Sequence, residues 1–430
     1  MPEFIKSIEV IGLFNRYDFK QEFQPGINII YGENGTYKTT LLHILANALN
    51  GAYKTLASLE FNSIKIEIDD GTILSIRCKL GNKKIIVSKS NKRGVIFQEI
   101  DALNNVFISD IVNESIPPLL ATAYFPAFRT MIEVSMLSSN EIMDVEWLNL
   151  PTETKPSRAT WLARKLFGDF VPTVNYLPLG EIESNLIAEV REAALTTAQV
   201  DRQVLAQSFV NIFTAFLPES NSVLEDEENL LSEIKSLSKK IQKYPFHKDD
   251  IITTEIDEKL GSILSSIQIE DGDSKKTAIH TLFIYRNLLQ KIADAQEKSF
   301  SQVEQYIQSV NKFLRDKHIE ISIENAEPDK PLIKLVFENG DSLNGLQALS
   351  SGERQIATLI YAAHMSQQKI ILIDEPEISL HVKWQKQLLP EMSKQLQDRQ
   401  IIACTHSPMI GSDYEERLQP MNLTPTNKDI

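Results

Sequence analysis

The chain has 430 residues, 42% apolar and 24% charged, too long for one ordinary core and ordinary in composition for a globular protein. Its net charge of −14, from 44 basic and 58 acidic residues, argues against a surface that coats nucleic acid without sequence preference, although a local basic groove stays open. No run approaches the roughly 20 apolar residues that cross a bilayer, and the N-terminus lacks the pattern of a cleaved leader. The two distant cysteines, Cys78 and Cys404, are too few for a disulfide framework or a zinc site and read as buried, reduced thiols of a cytoplasmic protein.

Residues 1–130 form a strand-rich half-domain with one strong helix. Ile27–Tyr31, Ile64–Ile68 and Lys84–Val87 are short β-branched runs bounded by Gly, Asn or Asp, and the pieces across 60–98 predict an antiparallel meander. After the first of these runs comes Gly32-Glu33-Asn34-Gly35-Thr36-Tyr37-Lys38-Thr39-Thr40, opening an apolar helix over Leu41–Leu49. Strand, Gly-rich loop and helix in that order make a phosphate cradle. Loop and helix N–H groups face the phosphate oxygens, Lys38 neutralises them and the Thr39 hydroxyl reaches Mg²⁺. Tyr37 stands where the pattern usually has Gly, so slow turnover is expected. At the end of this half, Tyr124-Phe125-Pro126-Ala127-Phe128-Arg129 closes a strand, with Arg129 open to two readings: a sensor of phosphate or of a neighbouring subunit, or a surface cation on a turn.

From 131 to 318 glycine becomes scarce and the period turns helical. Helices are predicted near Glu181–Leu217 and Leu230–Ile241, with exposed connections around Glu225–Glu228 and Lys248–Asp273. A heptad seam runs through Leu289, Ile292, Phe300, Val303, Ile307, Val310 and Leu314. A helix over 279–315 reaches about 55 Å, the length of an arm or lid. Residues 319–413 return to strands alternating with helices, and 414–430 read as a short polar tail, partly mobile.

Three motifs lie in this last part. Leu349-Ser350-Ser351-Gly352-Glu353-Arg354-Gln355 precedes the apolar helix Ile356–Ala363; its N-terminus can bind an anion, and Ser350 with Glu353 can equally form a capping box. Ile370–Ile373 is a buried strand ending in Asp374-Glu375, where Asp374 suits a Mg²⁺ site and Glu375 a general base. Cys404-Thr405-His406-Ser407-Pro408 follows the next strand, and between the two lies Ile378-Ser379-Leu380-His381.

In the order phosphate loop, LSSGE signature, acidic strand and histidine, the chain resembles the ABC/SMC ATPases of the compact RecF-like and OLD-like branch. Within that branch it is similar to the ATPase subunits of the PARIS and Septu anti-phage systems. The resemblance implies an α/β ABC-type head, a mixed sheet with an antiparallel subdomain, interrupted by the helical arm. It implies ATP and Mg²⁺ as cofactors, Asn34–Thr40 on one subunit's nucleotide and Ser350–Glu353 on the partner's. It further implies His406 as the switch residue, Ser379 and His381 near a dimer seam, and a homodimer or higher homo-oligomer. No Toprim-type nuclease fits in the 24 residues after His406, so a separate nuclease or toxin effector is expected and no membrane partner. The alternative is a RecF-like repair ATPase that binds DNA directly.

Overall fold

The structure, a computed structural model, describes residues 4–79, 84–91, 94–101, 116–129, 147–148, 155–175, 177–215, 227–241, 273–323, 331–365 and 368–426. It divides into two compact units, Met1–Pro178 with Leu349–Ile430, and Leu179–Ala348.

The first unit is α/β and holds two sheets. Its strands are β1 (Ile5–Leu13), β2 (Tyr17–Glu22), β3 (Ile27–Tyr31), β4 (Ser63–Ile68), β5 (Ile73–Lys79), β6 (Lys84–Asn91), β7 (Gly94–Asp101) and β8 (Thr122–Phe125). Strands β12 (Ile370–Asp374), β13 (Gln400–Thr405), β14 (Leu418–Pro420) and β15 (Thr424–Pro425) complete it; β9 to β11 belong to the second unit. A five-stranded sheet, β14-β3-β13-β12-β8, is parallel throughout. Every residue of β8, β12 and β13 is buried, the pattern of a parallel sheet covered on both faces. Helix α1 (Lys38–Leu49) buries Leu41, Leu42, Ile44, Leu45, Ala48 and Leu49 in the same core as Ile370, Leu372 and Ile402.

The seven-stranded sheet, β15-β2-β1-β4-β5-β6-β7, is antiparallel. In β4, Ile64, Ile66 and Ile68 are buried while Lys65 is exposed, the alternation of a half-buried strand. The meander expected over 60–98 is β4 to β7. Helix α2 (Arg158–Phe167) begins at Ser157, whose side chain accepts from the Thr160 N–H, and turns Ala159 and Ala163 into the core.

The second unit contains α3 (Leu179–Ala215), α4 (Glu227–Ile241) and α5 (Asp273–Asn311), with a small antiparallel sheet ordered β11-β10-β9. Its strands are β9 (Lys317–Ile323), β10 (Pro331–Phe337) and β11 (Ser342–Asn344). Leu289 and Ile292 of the heptad seam pack with Val204 of α3 and Leu230, Ile234 and Leu237 of α4. These two seam positions are therefore part of a helix-bundle core within this unit. The predicted connection Lys248–Asp273 lies almost wholly outside the described residues.

Three expectations are corrected. The polar tail after Asp413 is structured over 414–426: Leu418–Pro420 adds a parallel edge to β3 and Thr424–Pro425 an antiparallel edge to β2. Cys404 is buried, but Cys78, on β5, is only partly so; both are free thiols. The compact second unit is offset from 131–318 at both ends: residues 159–174 contribute Ala159, Ala163, Val171 and Val174 to the first unit's core, and among the described residues β9–β11 form a separate sheet.

Candidate functional site

The parallel sheet places β13 between β3 and β12, so the segments leaving the C-terminal ends of all three become neighbours. These are Gly32–Thr39, Asp374-Glu375 and Thr405-His406, remote in sequence and adjacent by topology. Ligands bind at that edge in open parallel sheets.

The loop is set for anions. Gly35 has φ +83° and Tyr37, the residue preceding α1, φ +62°, both in the left-handed region. A Cβ on Gly32 would lie 2.8 Å from Thr36 Oγ1. α1 begins with no side-chain cap and no acidic residue in its first turn, leaving its N–H groups open to a ligand. Asn34, Gly35 and Thr39 are exposed and Thr36 and Thr40 half-buried. Lys38 is buried; its ammonium donates to Gly32 O (2.7 Å) and Glu33 O (3.0 Å) inside the loop, the region a phosphate would fill. The Tyr37 ring packs on Phe14 and Tyr17, with centroids 5.2 and 5.6 Å away.

Thr39 Oγ1 donates to Asp374 Oδ2 at 2.8 Å. Burial pushes the Asp374 carboxyl up to about 6; the Thr39 hydrogen bond and the Arg129 and Lys38 cations pull against it, and the Glu375 carboxylate adds to it. Asp374 Oδ1 is buried with no hydrogen-bond partner among the described residues. A hard divalent cation fits this pair: one carboxylate and one hydroxyl, with the remaining positions left to phosphate and water. Among the described residues no cluster of three or more His, Cys, Asp or Glu side chains could hold a metal.

Beyond Asp374 the chain turns sharply. Glu375 has φ +45°, a strained conformation for a residue with a Cβ, costing about 1–2 kcal/mol. Its N–H donates to Cys404 O at 2.8 Å. Its carboxylate is partly exposed, with Oε1 3.3 Å from His406 Nδ1.

Glu377, which the sequence reading passed over, is a buried member of the site. Its Oε1 accepts from Thr405 Oγ1 (2.6 Å), His406 N (3.0 Å) and Ser407 N (3.1 Å), so it organises the loop that carries His406. Its only sequence signal is a third carboxylate in Asp374-Glu375-Pro376-Glu377. Arg129 is not a surface cation. It is 1% exposed, and its guanidinium donates to the carbonyls of Pro126, Asp374, Glu375 and Pro376 at 3.0–3.2 Å.

The signature segment forms α6 (Ser351–Met365). Ser350 N donates to Glu353 Oε2 at 2.7 Å, half of the expected capping box, and the exposed Ser350 and Ser351 leave the helix start open. Gly352 packs close to the segment after the acidic pair: a Cβ there would stand 3.1 Å from the Trp384 ring and 3.3 Å from Ser379 O. Gln355 Nε2 donates to Ile378 O at 2.6 Å. Ser379 has φ +64°, and His381 caps α7 (Val382–Gln395) through the Lys383 N–H.

Residues 225–412 match the family model described as "AAA domain, putative AbiEii toxin, Type IV TA system". The chain is also 34% identical over 93 residues to "Retron Ec83 probable ATPase" of Escherichia coli, a match covering 19% of this chain and 17% of that protein. It therefore spans about a sixth of that relative's length. Among solved structures, a Pyrococcus furiosus SMC head domain with an extended coiled coil, bound to the C-terminal domain of ScpA, aligns over 96% of this chain and 92% of its own at 14% identity and a TM-score of 0.37. The recombination mediator RecF aligns over 95% and 94% at 13% identity and a TM-score of 0.30. By the family match and the retron relative, the chain is similar to AAA-type ATPases. Among the described residues no helix is long and apolar enough to cross a membrane.

Proposed function

We propose that this chain is a Mg²⁺-dependent ATPase that closes as a homodimer or larger ring around its nucleotides and so controls a separate nuclease or toxin effector in anti-phage defence. The observation that carries the reading is the convergence of Lys38, Thr39, Asp374, Glu375 and His406 at the ends of neighbouring parallel strands. The matches to a toxin-associated family and to a retron ATPase support the setting.

In this reading Gly32–Thr40 cradles the phosphates and Lys38 exchanges loop carbonyls for phosphate oxygens. Mg²⁺, held by Thr39 and Asp374, supplies neutralisation of phosphate charge. Glu375 takes a proton from water as the water oxygen bonds to the γ-phosphorus and the bond to the β–γ bridging oxygen breaks, leaving ADP and phosphate. His406, beside Glu375, registers the change. The open start of α6, at Ser350–Glu353, caps the γ-phosphate bound by the partner subunit.

The test is to purify the protein with its adjacent gene product and measure mass with ATP, beside Lys38→Ala and Glu375→Gln. An ATP-dependent complex with a second protein, lost in Lys38→Ala and trapped by Glu375→Gln, supports the proposal. Unchanged turnover and assembly in both variants counts against it.

One feature favours the second reading, direct DNA binding. Residues 155–168 carry Lys155, Arg158, Arg164 and Lys165 with no acid. Lys155 lies over the Trp147 ring at 4.0 Å and Lys165 over Trp161 at 4.9 Å. Affinity for duplex DNA that falls steeply with salt and is lost on reversing these charges would move the assignment to a repair ATPase.

A further inference from the structure

Arg129 presents its guanidinium to three consecutive carbonyls, Asp374, Glu375 and Pro376, at 3.1–3.2 Å. A fourth bond, to Pro126 O at 3.0 Å, ties it to its own turn. The side chain is 1% exposed, so these contacts are shielded from water. The middle carbonyl belongs to Glu375, whose φ of +45° is disfavoured for any residue with a Cβ. Such a conformation persists only where its surroundings over-determine it. Three bonds do so here: the Glu375 N–H to Cys404 O, and the Glu375 carbonyl to Arg129 at 3.1 Å and to the Ile378 N–H at 3.2 Å. The planar fork of Arg can hold several carbonyls at once, which the single ammonium of Lys cannot. On the other side, Phe128 stacks on Phe167 with ring centroids 4.0 Å apart, anchoring the turn that carries Arg129 to α2.

We infer that Arg129 is a positioning residue: by clamping the carbonyls of 374–376 it holds Glu375 in the left-handed conformation that places its carboxylate beside His406. Arg129 touches no reacting atom. It acts on the direction of the Glu375 side chain. The inference rests on the proposed ATPase activity for its kinetic consequence, while its structural consequence is read without nucleotide.

Both are measured on the full chain in Arg129→Ala and Arg129→Lys. In the nucleotide-free protein, amide hydrogen exchange over 375–380 should accelerate at least about tenfold, with exchange in Leu41–Leu49 unchanged. With ATP, kcat should fall about 10- to 100-fold while the affinity for a fluorescent ATP analogue stays within about twofold, and Arg129→Lys should lie between wild type and Arg129→Ala. Unchanged exchange over 375–380, or equal loss of nucleotide affinity and turnover, overturns the inference. Should Arg129→Ala not fold, Arg129→Lys decides by the same two readings. A wild type that hydrolyses no ATP while the exchange result holds would sink the ATPase reading and leave the clamp standing.

Discussion

The Thr39 hydroxyl and the Asp374 carboxylate meet at 2.8 Å across 335 residues of sequence, joining the first turn of α1 to the end of β12. In the proposed site both become ligands of one cation. Asp374→Asn keeps the size and one acceptor but loses the charge that draws Mg²⁺. Nucleotide affinity in that variant should become independent of Mg²⁺, measured by titration with and without chelator. A retained, normal Mg²⁺ dependence would remove Asp374 from the metal site.

Two buried groups give opposite pH dependences. Burial lowers the His43 imidazole to about 4, so its neutral form contributes fully above pH 6.5 and stability is lost as pH falls toward 4. The whole loss is about 3 kcal/mol, at roughly 1.4 kcal/mol per pKa unit. Asp374 runs the other way: its pKa is raised from 3.8 to about 6, so stability is complete below pH 3.8 and is lost as pH rises through 6. Between pH 4 and 6 the two slopes largely cancel. Asp374→Asn should therefore expose the His43 slope, giving nucleotide-free protein that gains on wild type as pH rises from 4 to 6. A pH-independent difference between the two would contradict these burial effects.

Tyr37 holds φ +62°, where Gly would be free of strain, yet its ring packs on Phe14 and Tyr17. Aromatic pairs are worth about 0.5–1.5 kcal/mol each, comparable to the cost of the left-handed backbone. Tyr37→Gly loses the rings and relieves the strain; Tyr37→Ala loses the rings and keeps it. Tyr37→Ala should be the less stable by about 1 kcal/mol in chemical denaturation. The Gly variant should turn ATP over at least as fast as wild type, and slower turnover would show that the ring serves the nucleotide.

The placement of Gly32–Thr39, Asp374-Glu375 and His406 at strand ends was legible because each follows a contiguous apolar run in the sequence. Arg129 was visible as a residue and not as a role, since its partners are backbone carbonyls about 245 positions away that any sequence would supply. The boundary near 178 escaped notice because Ala159, Ala163, Val171 and Val174 sit in a helical, glycine-poor stretch whose period says nothing about which core they enter. Leu418–Pro420 and Thr424–Pro425 are too short to alternate, so only pairing with β3 and β2 makes them strands.

Gly352 allows α6 to approach Trp384 and Ser379 O, where an added methyl would stand 3.1 and 3.3 Å away. Ala also favours a helix over Gly by up to about 1 kcal/mol, which offsets the crowding in the monomer. If the proposed nucleotide-closed dimer forms, Gly352→Ala should leave thermal stability nearly unchanged but weaken that dimerisation at least about tenfold, measured by sedimentation. Normal dimerisation would separate this helix start from the proposed subunit contact.

Glu377 bears on both stability and chemistry. Its Oε1 accepts from Thr405 Oγ1, His406 N and Ser407 N, while Oε2 is buried without a hydrogen-bond partner among the described residues. Glu377→Ala strands these donors, each buried loss costing about 1–3 kcal/mol, partly offset because the loop is half open to water. A net loss of about 3 kcal/mol is expected in urea unfolding. Glu377→Gln can still offer Oε1 to the same donors but places an NH₂ where Oε2 had no partner, for a loss of about 1 kcal/mol. Turnover should follow the same order, because the loop that Glu377 organises carries His406 to within 3.3 Å of Glu375. Should Glu377→Gln prove as damaging as Glu377→Ala, the negative charge and not the acceptor geometry would be what holds the His406 loop in place.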